Sequence, residues 1–268
     1  MDIESLRSMQ KDSERVDALY QIMREDSRLN HSKAARVEFI TTTTYIEKYL
    51  KEGDRILDLG AGAGEYSLYF ARKGYEVTAV ELASANIEAF QKKITKEDKI
   101  ELIHGNALDL SCFAENSFDV VLLFGPLYHI SKEEDRQRCI AEAKRVLKPT
   151  GTIFIAFILN DMVILTELCY RPDFFLQDSY DHGTFKVEDF PFVFFTVEQT
   201  REMIKKAEIQ ILKEVASDGV SELLEDKINA MDEESYKQYV RYHLYCCEKP
   251  EMLGRSNHLL TIGKKQYR

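Results

Sequence analysis

Three glycines spaced two apart follow directly on a short apolar run, and no other stretch of the chain restricts its fold so tightly. Ile56, Leu57 and Leu59 read as a buried parallel strand. Gly60, Gly62 and Gly64 then permit a tight turn with positive φ and leave no Cβ between backbone and ligand. A helix pattern begins at once with Tyr66, Leu68, Tyr69, Phe70 and Ala71, closed by Lys73-Gly74. Strand, glycine turn and helix start make a nucleotide-type cradle at a helix N-terminus.

Asp58 puts a carboxylate inside that apolar strand. A pyrophosphate would be repelled by it, whereas a cationic amino-acid ligand would not. The spacing also departs from Gly-x-Gly-x-x-Gly, because Glu65 stands where the dinucleotide fingerprint needs its last glycine. The run Asp58-Leu59-Gly60-Ala61-Gly62-Ala63-Gly64 resembles motif I of the class I S-adenosylmethionine-dependent methyltransferases, an acidic residue and any residue before Gly-x-Gly-x-Gly. A glycine turn in another βαβ protein is the plain alternative, so the neighbouring segments decide.

Glu81 ends a strand expected over residues 75–80 and lies 23 residues beyond Asp58. A carboxylate there can accept hydrogen bonds from both ribose hydroxyls. The resemblance extends this subsite to Leu82. It also sets Asn106 against an adenine amino group and the amide of Ala107 against a ring nitrogen, just after a strand over 100–104. An ordinary turn asparagine is the competing reading. Residues 118–124 form the most apolar strand and so the central one, leading into Gly125-Pro126-Leu127-Tyr128-His129-Ile130. In an open α/β sheet this loop borders the ligand. By resemblance, Phe124 and Gly125 flank the sulfonium. The Asn/Asp-Pro-Pro-Tyr motif of base- and glutamine-methylating enzymes is absent, and no Pro-Cys nucleophile follows this strand. His129 is a candidate general base because an unperturbed imidazole titrates near physiological pH. Tyr128 is a second catalytic candidate; both are equally readable as loop residues without a chemical role.

Ahead of the glycine turn, residues 1–30 read as one charged amphipathic helix with Val16, Leu19, Tyr20 and Met23 on its stripe. A second helix spans about 32–50, with Ser32 as N-cap and Gly53 just past its end. Resemblance places such helices over the cofactor, with Arg36 and His31 either reaching it or simply solvated. After the central strand, Ser131 and Glu134 read as a capping box opening a helix to about Leu147. Lys148-Pro149-Thr150-Gly151 turns it into a strand over 152–158. Residues 160–195 look irregular and aromatic-rich. Thr196 and Gln199 form another capping box, residues 209–215 alternate like a strand, two helices occupy 219–247, and Pro250 and Gly254 break the chain before a last strand over 257–263. The family resemblance covers residues 54–158 at four motifs.

The expected architecture is a Rossmann-like, seven-stranded, mostly parallel α/β sheet with an antiparallel strand 7. A helical extension (1–53) precedes a methyltransferase domain (54–268) with insertions at about 160–195 and 219–250. The implied activity is methyl transfer from S-adenosyl-L-methionine to a small-molecule acceptor. With 46 Asp and Glu against 36 Lys and Arg, a net charge of −10 argues against nucleic acid as the partner. No run approaches membrane-span length, no leader pattern opens the sequence, and five scattered cysteines without C-x-x-C spacing point to a reduced, cytoplasmic monomer or homodimer without structural metal. Three other functions remain open: an NAD(P)-dependent oxidoreductase, a non-catalytic S-adenosylmethionine-binding module, and an RNA methyltransferase.

Overall fold

Alternation along the strands sorts the apolar residues into two layers. In a computed structural model describing residues 2–23 and 25–266, helices α1 (Asp12–Ile22) and α2 (Lys33–Glu47) precede β1 (Arg55–Leu59). Then come α3 (Glu65–Ala71), β2 (Glu76–Glu81), α4 (Ser84–Gln91), β3 (Ile100–His104) and β4 (Phe118–Leu123). The one-turn α5 (Pro126–His129), α6 (Glu133–Val146) and β5 (Leu147–Ile158) complete the parallel part. Beyond it lie α7 (Asn160–Tyr170), α8 (Val197–Lys206), β6 (Ile209–Ala216), α9 (Glu225–Asn229), α10 (Glu233–Cys246), α11 (Pro250–Leu253) and β7 (His258–Lys265).

The sheet order is β3-β2-β1-β4-β5-β7-β6. Neighbours from β3 through β5 pair in parallel, and β7 is antiparallel to both β5 and β6. The expected seven-stranded arrangement is therefore the one formed. Chain progression reverses between β1 and β4, which creates the crevice where ligands enter such sheets. Ile56, Val120, Leu122 and Phe154 face one layer and pack on Phe39, Tyr45 and Ile46 of α2. Leu57, Leu59, Val121 and Ile153 face the other, against Cys139, Ile140 and Ala143 of α6 and Ile204 of α8. Helix α2 thus packs into the core of the sheet.

Several local expectations need correction. Residues 1–30 are not one helix. A 3₁₀ turn at Glu4–Ser8 precedes α1, and Met23 is an extended C-cap that is part exposed. The stripe residues Val16 and Leu19 are buried, but the chain must then turn over the glycine loop, where Leu29 is buried too. The capping box at Ser131 does not form: the N-cap is Lys132, with no side-chain cap. Ser131 instead donates to Asp12 of α1 from both its hydroxyl, 2.8 Å, and its amide, 2.7 Å. A carboxylate supplied by a distant element outcompetes the local helix end. By contrast, Thr196 and Gln199 form the reciprocal box, at 3.2 and 2.8 Å. The segment 160–195 is not wholly irregular, since α7 takes its first third and Phe174, Tyr180 and Phe194 make a small core with Ile164. Pro250 starts α11 instead of breaking the chain, a position where its missing N–H costs nothing.

Candidate active site

The glycine turn is held by packing from below. Gly60, Gly62 and Gly64 all have positive φ, +76°, +56° and +85°. A Cβ on Gly60 would lie 2.6 Å from the Phe124 carbonyl oxygen, and one on Gly64 would lie 2.2 Å from the Phe90 ring. Those two glycines let β4 and α4 close in. A Cβ on Gly62 would meet only Glu25 Cγ, at 3.2 Å, so Gly62 faces upward.

Above the turn lies a cavity with about 1000 Å³ of empty space, part of it open to solvent. It gathers Asp58, Gly60, Ala61 and Gly62 from the first crossover, and Glu81 and Leu82 from the end of β2. Asn106 and Ala107 come from the loop after β3, and Phe124, Gly125, Tyr128 and His129 from the loop after β4. Of the residues expected at the site, Gly64 alone does not line it. Four strand ends thus converge, as the crevice requires.

Glu81 is buried and ties the turn together. Its Oε2 accepts from the Gly62 amide at 2.8 Å, and its Oε1 accepts from the Ala83 amide at 2.7 Å and Asn86 Nδ2 at 3.3 Å. Burial pushes its pKa up, and these donors pull it back down. Asp58 is 1% exposed; one oxygen accepts from Ser67 at 2.7 Å and the other, Oδ1, has no partner. Desolvation raises its pKa to about 7. Asn106 Oδ1 accepts from the Leu108 amide at 2.9 Å, leaving its second lone pair free.

His129 is buried, with Nε2 2.9 Å from the Tyr20 hydroxyl and Nδ1 unpartnered. Desolvation lowers its pKa to about 3. The hydrogen-bond pattern fixes the tautomer. If Tyr20 donates to Nε2, only Nδ1–H is left unpaired; if Nε2–H donates to Tyr20, both Nδ1 and the phenol proton are left unpaired. The first arrangement leaves fewer buried polar groups unsatisfied. His129 is then neutral, with its basic nitrogen covered. Burial likewise raises the pKa of Tyr20 and Tyr128, so both phenols stay protonated.

The roof comes from the N-terminal segment. Val16, Tyr20, Glu25, Arg28 and Leu29 line the cavity, none of them foreseen as site residues. Besides the Asp12–Ser131 contact, Asp17 accepts from the Ser84 amide at 2.7 Å, fastening α1 to the start of α4. Arg28 donates to Glu25 at 2.7 Å and to Glu38 at 2.7 Å. Glu38 in turn lies 3.4 Å from His258, which Asp218 holds at 2.7 Å. Glu38, Asp218 and His258 therefore form one ionic chain with Arg28. Arg36 and His31 do not reach the cavity: Arg36 donates to Asn30 in a separate hollow, and His31 Nδ1 contacts the Arg28 carbonyl. The i, i+4 pair Val16 and Tyr20 was visible in the sequence as an apolar stripe, but nothing in it said what the stripe covers.

Residues 57–155 match the family described as a methyltransferase domain. A demethylmenaquinone methyltransferase of Clavibacter sepedonicus is 35% identical over 118 residues, 44% of this chain and 46% of that one. An uncharacterized methyltransferase of Schizosaccharomyces pombe is 32% identical over 187 residues, 64% of this chain and 65% of that one. A putative ribosomal RNA large subunit methyltransferase of Methanocaldococcus jannaschii is 32% identical over 97 residues, 34% of this chain and 25% of that one. The chain thus spans less than half the length of the first of these relatives. Among solved structures, 1,6-didemethyltoxoflavin-N1-methyltransferase of Burkholderia thailandensis, with bound S-adenosylhomocysteine, superposes with a TM-score of 0.56 at 15% identity. That likeness covers 100% of this chain and 92% of the other and is one of fold. The matched region begins inside β1 and ends inside β5, and so contains the glycine turn, Glu81, Asn106 and the loop after β4. Sequence match and sheet order agree: residues 57–155 match a methyltransferase domain, and the chain shares the fold of S-adenosylmethionine-dependent methyltransferases of known structure.

Proposed function

We propose that the protein transfers a methyl group from S-adenosylmethionine to a small-molecule acceptor. The observation that carries this reading is Glu81. It joins the end of β2 to the Gly62 amide, so that a ribose subsite and a methionine subsite share one carboxylate. The methyl donor supplies an activated leaving group, so the protein's task is to orient two reactants and exclude water.

In this reading Glu81 and Leu82 hold the ribose, and Asn106 and Ala107 the adenine. Asp58, the glycine turn and Gly62 hold the methionine end. Asp58 Oδ1, buried without a partner, fits an ammonium-bearing ligand, because it is a polar acceptor the protein leaves unused. Phe124 and Gly125 border the sulfonium, with the Phe124 ring edge-on to Tyr66 at 5.1 Å. Tyr128 and His129 wall the acceptor side, and α1 excludes water.

A small acceptor is favoured over RNA by the roof over the cavity and by the net charge of −10. A cytoplasmic location is supported by the five unpaired cysteines. No helix among the described residues is long and apolar enough to cross a membrane.

Calorimetric titration with S-adenosylhomocysteine, with NADH as the control, tests the reading. Binding of the first alone, lost in Gly62→Arg, is expected. Binding of NADH alone would refute it.

A further inference from the structure

We propose that Glu25 holds the place of the methyl donor's carboxylate on Arg28 and gives it up when the donor binds. This rests on the methyl-transfer reading and deepens it, by naming the cation that takes the ligand's carboxylate and the side chain that competes for it.

The amino-acid end of S-adenosylmethionine carries an ammonium and a carboxylate. Asp58 Oδ1 suits the ammonium. The carboxylate finds no donor in the amides of Gly60, Ala61, Gly62 and Gly64, because the fold already uses them. Gly60 and Ala61 donate to the Val80 carbonyl at 2.9 and 3.3 Å, and Gly64 donates to the Ala61 carbonyl at 2.9 Å. Gly62 donates to Glu81. Among the described residues, Arg28 is the cation that lines the cavity.

Arg28 is fixed by one edge of its guanidinium. Nη1 and Nη2 donate to the two oxygens of Glu38 on α2, at 2.7 and 3.3 Å, and His258 stands 3.4 Å behind Glu38. The other edge donates through Nε to Glu25 Oε1 at 2.7 Å. A planar guanidinium can offer such an edge to any carboxylate of the right reach.

Glu25 gets there by crossing the glycine turn. Its Cγ lies 3.2 Å from the position of a Cβ on Gly62, on the surface proposed for the methionine end. Side chain and ligand thus claim the same space and the same guanidinium edge. With 21% of its side chain exposed, Glu25 has a path to water, and a pair of that exposure is held weakly. The exchange sets one carboxylate in place of another on Arg28. No proton moves, and the guanidinium is never left unpaired. A nucleoside without a carboxylate leaves Glu25 where it is.

Titration calorimetry at about pH 7.5 tests this with S-adenosylhomocysteine and 5′-methylthioadenosine, which shares the nucleoside and thioether but lacks the amino-acid end. Glu25→Ala is expected to tighten S-adenosylhomocysteine about tenfold and to leave 5′-methylthioadenosine within about twofold. Arg28→Gln should weaken the first about tenfold and spare the second. Glu25→Ala, at a part-exposed position, carries the test alone if Arg28→Gln does not fold. Unchanged or weaker S-adenosylhomocysteine binding in Glu25→Ala overturns the proposal, since Glu25 would then serve the ligand's ammonium or nothing. An equal gain for both nucleosides overturns it as well, because Glu25 would then only obstruct entry. If neither nucleoside binds wild type or variant, the methyl-transfer reading itself falls.

Discussion

Asp58 should make the ligand-free protein less stable as pH rises, and Asp58→Asn should remove that contribution. The carboxyl is 1% exposed, accepts a single hydrogen bond and has one oxygen without a partner. Its pKa is about 7 when folded, against 3.8 for an ordinary aspartate. The folded chain therefore holds a proton that the unfolded chain has given up across that window. Stability contributed by the protonated carboxyl is complete below about pH 4 and is lost as pH rises through about 7. Between pH 5 and pH 8 the loss amounts to about 2.5 kcal/mol, taking 1.36 kcal/mol per pK unit and both titration curves. Asparagine keeps an oxygen for Ser67 and cannot ionise. Glu81 is shifted in the same direction, so the difference between wild type and variant, not the wild-type curve alone, isolates Asp58. Urea melts of both proteins across this range give that difference. A gap that stays constant from pH 5 to pH 8 would mean that Asp58 titrates normally, and the burial argument would fail.

Other substitutions separate the parts of the site. Gly64→Ala forces a Cβ to 2.2 Å from Phe90 at a φ of +85° and should cost more than about 2 kcal/mol by urea melt. Gly53→Ala has nearly the same φ, +84°, with nothing within 4 Å, and should cost only about 1 kcal/mol. Tyr20→Phe removes the donor to His129 Nε2 and leaves a buried acceptor bare, lowering stability by about 1–3 kcal/mol; no change would contradict the tautomer assigned here. Glu81→Gln turns one of two acceptor oxygens into a donor facing a backbone amide, and calorimetry should show S-adenosylhomocysteine binding at least tenfold weaker, which is about 1.4 kcal/mol.

What the sequence disclosed was whatever is local. The glycine turn, the carboxylate at the end of β2 and the asparagine after β3 each sit within a few residues of a strand whose apolar run is plain to read. The order of the parallel strands followed from the family resemblance, and the antiparallel β7 from the same source. Residues whose positions are set by contacts across the fold stayed hidden. Glu25 and Arg28 lie in a turn with no regular pattern, and what brings them to the cavity is the buried Leu29 and the pairing of Arg28 with Glu38 on α2. His129 looked like a base because imidazole usually titrates near neutrality. Only the burial of its ring and the Tyr20 hydroxyl, 109 residues away, change that chemistry.

Ser131 shows how a local rule loses to a tertiary one. A serine three residues before a glutamate is a good helix start, and a cap of that kind stabilises by about 1 kcal/mol. Here the serine gives its hydroxyl proton and its amide to Asp12, and Arg15 donates to that hydroxyl at 2.6 Å. Charge-assisted bonds to a carboxylate are stronger than the neutral cap they replace. The exchange also fastens α1 across the loop that carries His129, with Tyr20 two turns further along meeting the imidazole itself. The helix end gives up its own cap, and the cavity gains a roof fixed at Ser131 and His129, two residues apart on the loop where the acceptor is proposed to bind, as well as at Ser84.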